Sequence, residues 1–412
     1  IVGNGGTITE AVSTQVWSGD AAVHVSIVNW VKGAQPGSKL LYFQNGNKVD
    51  SPWAMHDLLT IGPSLSATTE TSEAATLAGN SGAGLCYQGQ THGHEGFLLT
   101  PEDAQAMLAR DRKNAEVVFP FLIGDDLLSR TPPSPSRYVI DFHPRTLAEA
   151  AAYKGPFAHV QAAVLADREA AAKREKERNA AALKESATAH VNRHHENFLK
   201  RWWLLSYPRP DLMQRLRTIP RYIACSAVTK RPVFAFIDAA IHPNAALIVF
   251  PFDDDYSFGI LQSVQHWQWF VARCSTLEER PRYTSETVFN TFPWPQSPTP
   301  SQVKKVAAAG RAVRAARQAM MQVGSLALRE LYRLLELPGT SPLKDAQASL
   351  DKAIASAYGF KESSDYLADL LKLNATLAAA EKAGRPIVGP GLPPGAPDRK
   401  ELVSEDRITT EG

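Results

Sequence analysis

Between Pro156 and Pro208 the chain contains neither glycine nor proline. The centre of this stretch, residues 167–185, is dominated by Ala, Glu, Lys and Arg, all strong helix formers. One long helix is therefore expected, over about residues 160–203. Large apolar side chains are sparse along its centre, which suits a helix that crosses a surface or bridges lobes more than one that fills a core. A sustained apolar a/d seam is missing, so a coiled coil is not expected.

The segments on either side read as strands and short helices, giving a mixed α/β fold class. Near the start, Asn4-Gly5-Gly6 and Ser18-Gly19-Asp20 supply turn chemistry, and Val23, Val25 and Ile27 alternate with His24 and Ser26. This pattern predicts a β-hairpin at the edge of a larger sheet. Thr100-Pro101-Glu102-Asp103 opens a helix, with Thr100 as N-cap and Pro101 at the first helical position. Strands are expected over 137–142, 222–228, 233–237 and 246–252, and helices over 263–273 and through most of 301–380. Ser341-Pro342 starts one of these helices and Tyr358-Gly359 ends it. The tail after Gly384 is rich in Pro and Gly and then charged, and is expected to be disordered.

With 412 residues, two or three domains are expected. No apolar run is long enough for a membrane span. The cysteines Cys86, Cys225 and Cys274 lack metal-ligand spacing and are odd in number, which argues against a disulfide framework and suits a reducing cytosol. Ile1 to Thr7 reads as the end of one element and a turn, as though the chain were cut inside a domain.

A net charge of +2 does not by itself point to nucleic acid. Its distribution is more informative: from Lys200 to Arg231 there are eight basic residues and one acid, Asp211. This fits a phosphate-binding face or a solvated helix surface. Arg273, Arg280, Arg282 and Thr284 add guanidinium and hydroxyl groups that can read base edges or hold phosphates. Trp202, Trp203, Trp267 and Trp269 read as core. His92, His94 and Glu95 form a weak metal candidate without a supporting cluster, and His194-His195 reads as solvated. Asp253-Asp254-Asp255 fits a turn better than a magnesium site. Neither Asn4-Gly5-Gly6 nor Gly82-Ala83-Gly84 has the strand–loop–helix context of a nucleotide-binding glycine loop.

Several long segments carry a resemblance: "NGGTITEAVSTQVWSGDAAVHVSIVNW", "LCYQGQTHGHEGFLLT", "NAEVVFPFLIGDD" with "SRYVIDF", "KRPVFAFIDAAIHPN", "FDDDYSFGILQSVQHWQWF", "RCSTLEERPRYTSETVFNTFPWPQ" and "LDKAIASAYGF". In this order they resemble the C-terminal half of adenine-specific DNA methyltransferases of the Mme/Taq-like type, with a target-recognition domain following the catalytic domain. The resemblance implies a bacterial, cytoplasmic restriction–modification or phage-defence enzyme that methylates a target adenine from S-adenosylmethionine. The family's cofactor loop and its Asn/Asp-Pro-Pro-aromatic motif do not occur here. Catalysis and cofactor would then belong to a missing N-terminal part of the same polypeptide, and no cofactor or metal is expected on this chain alone.

The resemblance also implies a role for Trp17. Adenine must be flipped out of a duplex before it can be methylated, and an aromatic just ahead of the last catalytic strand offers a stacking face. The family usually has proline after this aromatic, and here the residue is Ser18. The implied layout is a catalytic-domain hairpin over 1–33, a recognition domain over 34–300, a helical region over 301–383 and the tail over 384–412. Double-stranded DNA is the expected partner, contacted by Lys230, Arg231, Arg273, Arg280, Arg282 and Thr284. Two rivals remain: a non-catalytic DNA-specificity subunit that directs a separate methyltransferase or nuclease, and an interaction protein with no DNA role.

Overall fold

The computed structural model describes residues 1–410 except 18–23, 45, 47, 63–64, 66–73, 278–279 and 362–363. Its fold is mixed α/β, and the chain divides into two compact units. One comprises Ile1–Ala75 with Asp365–Ala379, and the other Thr76–Ser364 with Ala380–Gly412.

The first unit is built on a four-stranded sheet in the order β2-β1-β3-β4, from β1 (Gly6–Val16), β2 (His24–Lys32), β3 (Lys39–Gln44) and β4 (Trp53–Leu58). β1 and β2 form the expected antiparallel hairpin with β2 at the sheet edge, while β1 and β3 run parallel. Gly5 adopts a left-handed φ of 77° that allows the turn into β1. The expected Ser18-Gly19-Asp20 turn lies outside the described residues. Side chains alternate across the sheet. One face carries Leu41, Val28 and Leu58 into a small core with Ile8 and Ala11. The opposite parity leaves Ile27, Val31, Trp53 and Met55 exposed.

The second unit contains two further sheets. One, ordered β10-β9-β12-β5, is antiparallel throughout; the other, ordered β11-β7-β8-β6, pairs β11 with β7 in parallel. Their strands are β5 (Tyr87–Gln88), β6 (Leu98–Leu99), β7 (Val118–Leu122), β8 (Arg137–Ile140), β9 (Arg221–Ser226), β10 (Ala235–Asp238), β11 (His242–Pro243) and β12 (Leu247–Phe250). A short ribbon joins β13 (Ser275–Leu277) to β14 (Arg280–Arg282). The expected strands and helix starts are largely present. The Thr100 hydroxyl accepts the Asp103 N–H at 3.1 Å to cap α1 (Pro101–Arg110), and Gly359 closes its helix with φ 74°.

The long helix differs from expectation at both ends. α2 spans Lys154–Glu185 and stops there, and the chain returns through α3 (His194–Leu199). Residues 186–193 combine Ser, Thr, Asn and His, which favour caps and turns over helix interiors. The reversal is then fixed by side chains of α2. The Glu175 carboxylate accepts the N–H groups of His195 and Glu196 at 3.0 and 2.9 Å, and Asn179 exchanges two hydrogen bonds with the backbone of Asn192. The first turns of α2 do fill a core. Val160 and Val164 are buried with Phe97, Phe142 and Trp202.

Four helices complete this unit's apolar packing: α4 (Asp255–Gln262), α5 (Val264–Arg273), α6 (Pro300–Gly324) and α8 (Pro342–Tyr358), with α7 (Leu328–Glu336) between the last two. α4 and α6 cross at glycines. A Cβ on Gly259 would stand 2.8 Å from Val306 Cγ1, so only a bare Cα fits this approach. The tail is not disordered as expected. Ile408 bridges to Ile237, Leu402 is fully buried and Arg407 Nε donates to Asp238 at 2.7 Å. Composition averages over the tail and so misses these few anchoring residues.

Candidate nucleic-acid interface

The chemistry expected to meet DNA gathers around the β13–β14 ribbon. Three backbone links join β14 to the loop after β9: Val228 bridges Arg282, Thr229 N–H donates to the Pro281 carbonyl at 2.9 Å, and Tyr283 N–H donates to the Ala227 carbonyl at 2.8 Å. Lys230 is therefore held beside Arg280 and Arg282. Alternation along β14 places Arg280, Arg282 and Thr284 on one side, while Tyr283 turns into the core and shares a 2.9 Å hydrogen bond with His266. Arg280 and Lys230 are exposed and Arg282 is half-buried.

Arg273 ends α5, the helix that leads into the ribbon. Its Nε donates to the Thr287 carbonyl at 3.4 Å, and the hydroxyls of Thr284 and Thr287 lie 2.6 Å apart. The ribbon, the end of α5 and the turn after β14 thus form one basic, hydroxyl-bearing patch. Arg231 is placed differently from its neighbours. Its guanidinium lies 4.4 Å from the Trp267 ring and 5.4 Å from the Tyr332 ring, held by cation–π attraction. Trp202 and Trp269 are buried, as expected for core. Trp17 belongs to the first unit, immediately after β1, and is 50% exposed.

Several other basic residues of 200–231 are engaged elsewhere. Lys200 pairs with Glu196 at 2.7 Å, Arg209 donates to Gly89 and Gln88, and Arg215 donates to Ala83. Arg221 is 1% exposed. The stretch is therefore not one continuous phosphate-binding face.

The acidic triplet is structural as well. Asp254 caps α4, accepting from the N–H and hydroxyl of Ser257 at 2.7 and 2.9 Å, and burial raises its pKa to about 6. Asp255 is fully buried and receives Arg221 at 3.0 Å, Arg311 at 2.8 Å, Arg314 at 2.6 Å and the Ser404 hydroxyl at 2.8 Å. Asp406 in the tail completes the cluster through Arg314 Nε at 2.5 Å and Arg221 Nη1 at 3.4 Å. Three aspartates in sequence suggested a turn, and no sequence signal paired them with arginines up to 146 residues away.

His92 and His94 are likewise accounted for by hydrogen bonds. His94 Nδ1 accepts the Gly96 N–H at 2.9 Å, so its Nε2 carries the proton that Asp167 accepts at 2.9 Å. A second network was not anticipated. Gln90 donates to Asp141 at 2.8 Å and accepts from His242 Nδ1 at 2.9 Å, while Phe119 stacks on the His242 ring at 4.0 Å. Burial, with Arg217 nearby, lowers the His242 pKa to about 3, so the ring is neutral and its approach to Asp141 is not an ion pair.

Residues 219–296 match the MmeI target recognition domain, and this span includes β9 to β12, both helices of the aromatic core and the whole ribbon. No curated protein sequence matches the chain. Among solved structures, the Type IIL restriction–modification enzyme MmeI in complex with DNA is similar, at 22% identity and a TM-score of 0.66 over 91% of this chain. The chain spans 46% of that enzyme's length. The basic ribbon, the aromatic core beneath it and the fold around them thus make this chain the bearer of an MmeI-like target recognition region.

Proposed function

We propose that the chain is the DNA-recognition part of an S-adenosylmethionine-dependent, adenine-specific DNA methyltransferase of restriction–modification type. The observation that carries this reading is the ribbon within the matched region, which presents Arg280 and Arg282 on one face with Lys230 alongside. A two-stranded ribbon has the dimensions to enter a major groove, where arginine can read guanine edges bidentately. Arg280 and Arg282 would meet base edges. Lys230, Arg273 and Thr284 would hold phosphates, and Arg231, between Trp267 and Tyr332, would brace the loop against the backbone.

Trp17 would stack on the flipped adenine. Its exposure and its position at the end of β1 support this role. S-adenosylmethionine would be bound elsewhere in the polypeptide, because the residues here do not fit it. Asn4-Gly5-Gly6 leads into a strand, and Gly82-Ala83-Gly84 follows a helix of four residues. The apolar second face of the first sheet, with Ile27, Val31, Trp53 and Met55, supports a further layer of the same polypeptide packing there. The rival reading, a specificity subunit directing a separate enzyme, rests on the lack of an Asn/Asp-Pro-Pro-aromatic motif in this sequence.

Fluorescence anisotropy with a labelled duplex tests the DNA-reading surface. Loss of one bidentate base contact should weaken binding to the cognate site roughly 5- to 150-fold, from about 1–3 kcal/mol. Arg282→Ala is expected to fall in that range. Unchanged affinity for both Arg280→Ala and Arg282→Ala would remove the ribbon from the interface.

A further inference from the structure

A cavity of about 570 Å³ opens between α6, β10 and the tail, with Arg314, Arg317 and Arg407 and one carboxylate, Asp406, in its wall. Its volume suits a small organic ligand. Along α6, Arg314, Gln318 and Gln322 follow at four-residue steps and so share one face. Phe236, Met321 and Leu328 supply an apolar side.

The charges around this cavity do not balance. Arg221, Arg311 and Arg314 share two carboxylates, Asp255 and Asp406, and Arg317 beside them pairs with neither. Arg407 pairs separately with Asp238 at 2.7 Å and with the solvent-exposed Glu405 at 3.6 Å. Arg317 is 4% exposed and has only uncharged partners, the Phe234 carbonyl at 2.6 Å and the Tyr332 hydroxyl. Arg314 Nη1 and Arg317 Nε are withdrawn from solvent and find no hydrogen-bond partner among the described residues. Burial, with further arginines close by, lowers the Arg317 pKa, as expected for a cation short of counter-charge. A cluster in this state gains from an anion placed against it.

We infer that the cavity between α6, β10 and the tail binds a small phosphate monoester, distinct from the DNA that the ribbon meets. The surplus over the two carboxylates is about two charges, and a phosphate monoester carries about −1.5 to −2 at neutral pH. A monocarboxylate would leave part of it unmatched. The glutamines of α6 lie on the same wall as donors to phosphate oxygens, and the apolar side takes the organic part of the ligand.

Calorimetry and thermal unfolding of this chain at fixed ionic strength, with adenosine 5′-monophosphate, inorganic phosphate and adenosine as probes, test the proposal. Saturable binding of at least one phosphate probe, without binding of adenosine, is expected. Gln318→Glu/Gln322→Glu, at exposed helix positions that leave the arginine cluster intact, should weaken that binding at least tenfold. Absence of saturable binding by both phosphate probes would overturn the proposal. So would binding that the double variant leaves unchanged, because the anion would then sit on another cationic surface.

Discussion

Replacing Asp255 by Asn keeps the shape of the side chain and removes its charge. Three guanidinium groups, Arg221, Arg311 and Arg314, then lose a carboxylate that is fully buried. Breaking a buried ion pair by removing one partner costs about 3–5 kcal/mol, because the remaining charge cannot be solvated. Asp255 is also the first residue of α4, where a carboxylate complements the helix dipole by a further ~0.3–1 kcal/mol. A shift of 1 kcal/mol moves the midpoint of a unit this large by about 2–4 °C, so a fall of roughly 7–24 °C is expected. Asp406→Asn is the control. Its side chain is 43% exposed, solvent screens what it loses, and its effect should be about 1 kcal/mol or less. Urea denaturation followed by tryptophan fluorescence measures both. If Asp255→Asn costs no more than Asp406→Asn, the cluster is not the anchor that joins α4, α6 and the tail.

Three other perturbations separate the roles assigned above. Gly259→Ala should lower stability by about 1–3 kcal/mol despite the better helix propensity of alanine, because its methyl would stand 2.8 Å from Val306 Cγ1; a stabilised variant would mean that α4 and α6 have room to separate. His242 and His266 both have pKa values lowered to about 3 by burial, so the folded state binds fewer protons than the unfolded state below pH 6.5, and their stability contribution falls as pH drops from 6.5 towards 3. Asp254 and Asp351, raised to about 6, act in the opposite sense and lose stability as pH rises from 3.8 to 6. His242→Asn should therefore remove up to about 1.4 kcal/mol per pH unit from the acid-side fall, and an unchanged pH slope would show that the ring is not neutral when folded. In cells expressing the complete enzyme, Trp17→Ala should reduce adenine methylation, since stacking on a flipped base returns roughly 1–3 kcal/mol; methylation at the wild-type level would end the stacking role.

Local chemistry was the most legible part of the sequence. Thr100-Pro101, Ser341-Pro342 and Tyr358-Gly359 mark helix boundaries because caps and φ preferences act within a turn. The strands around Tyr222, Phe236 and Ile248 were visible because β-branched and aromatic residues cluster there. The end of the long helix was harder to read. Glu175 and Asn179 fix the reversal by accepting and donating hydrogen bonds more than ten residues away, and propensity carries no sign of such a partner. The tail failed for the same reason: Leu402, Asp406 and Ile408 are few, and each is held by a residue distant in sequence. For the candidate site, the basic and hydroxyl residues of 273–284 were legible as a type of chemistry. Their assembly with Lys230 required the β14 pairing, and the burial of Arg221 could not be told from its one-letter neighbours.

The ribbon and its flanking loop are proposed to meet the charged backbone of DNA. A titration of duplex affinity against salt tests this most directly, since each phosphate contact contributes about −0.9 to the slope of log affinity against log salt. A steep negative slope is expected for the chain. For Lys230→Ala/Arg280→Ala/Arg282→Ala the slope should be shallower by about 0.9, from the one phosphate contact, at Lys230, that the variant removes. A flat slope for the unaltered chain, or an identical slope for the triple variant, would contradict the proposed contact.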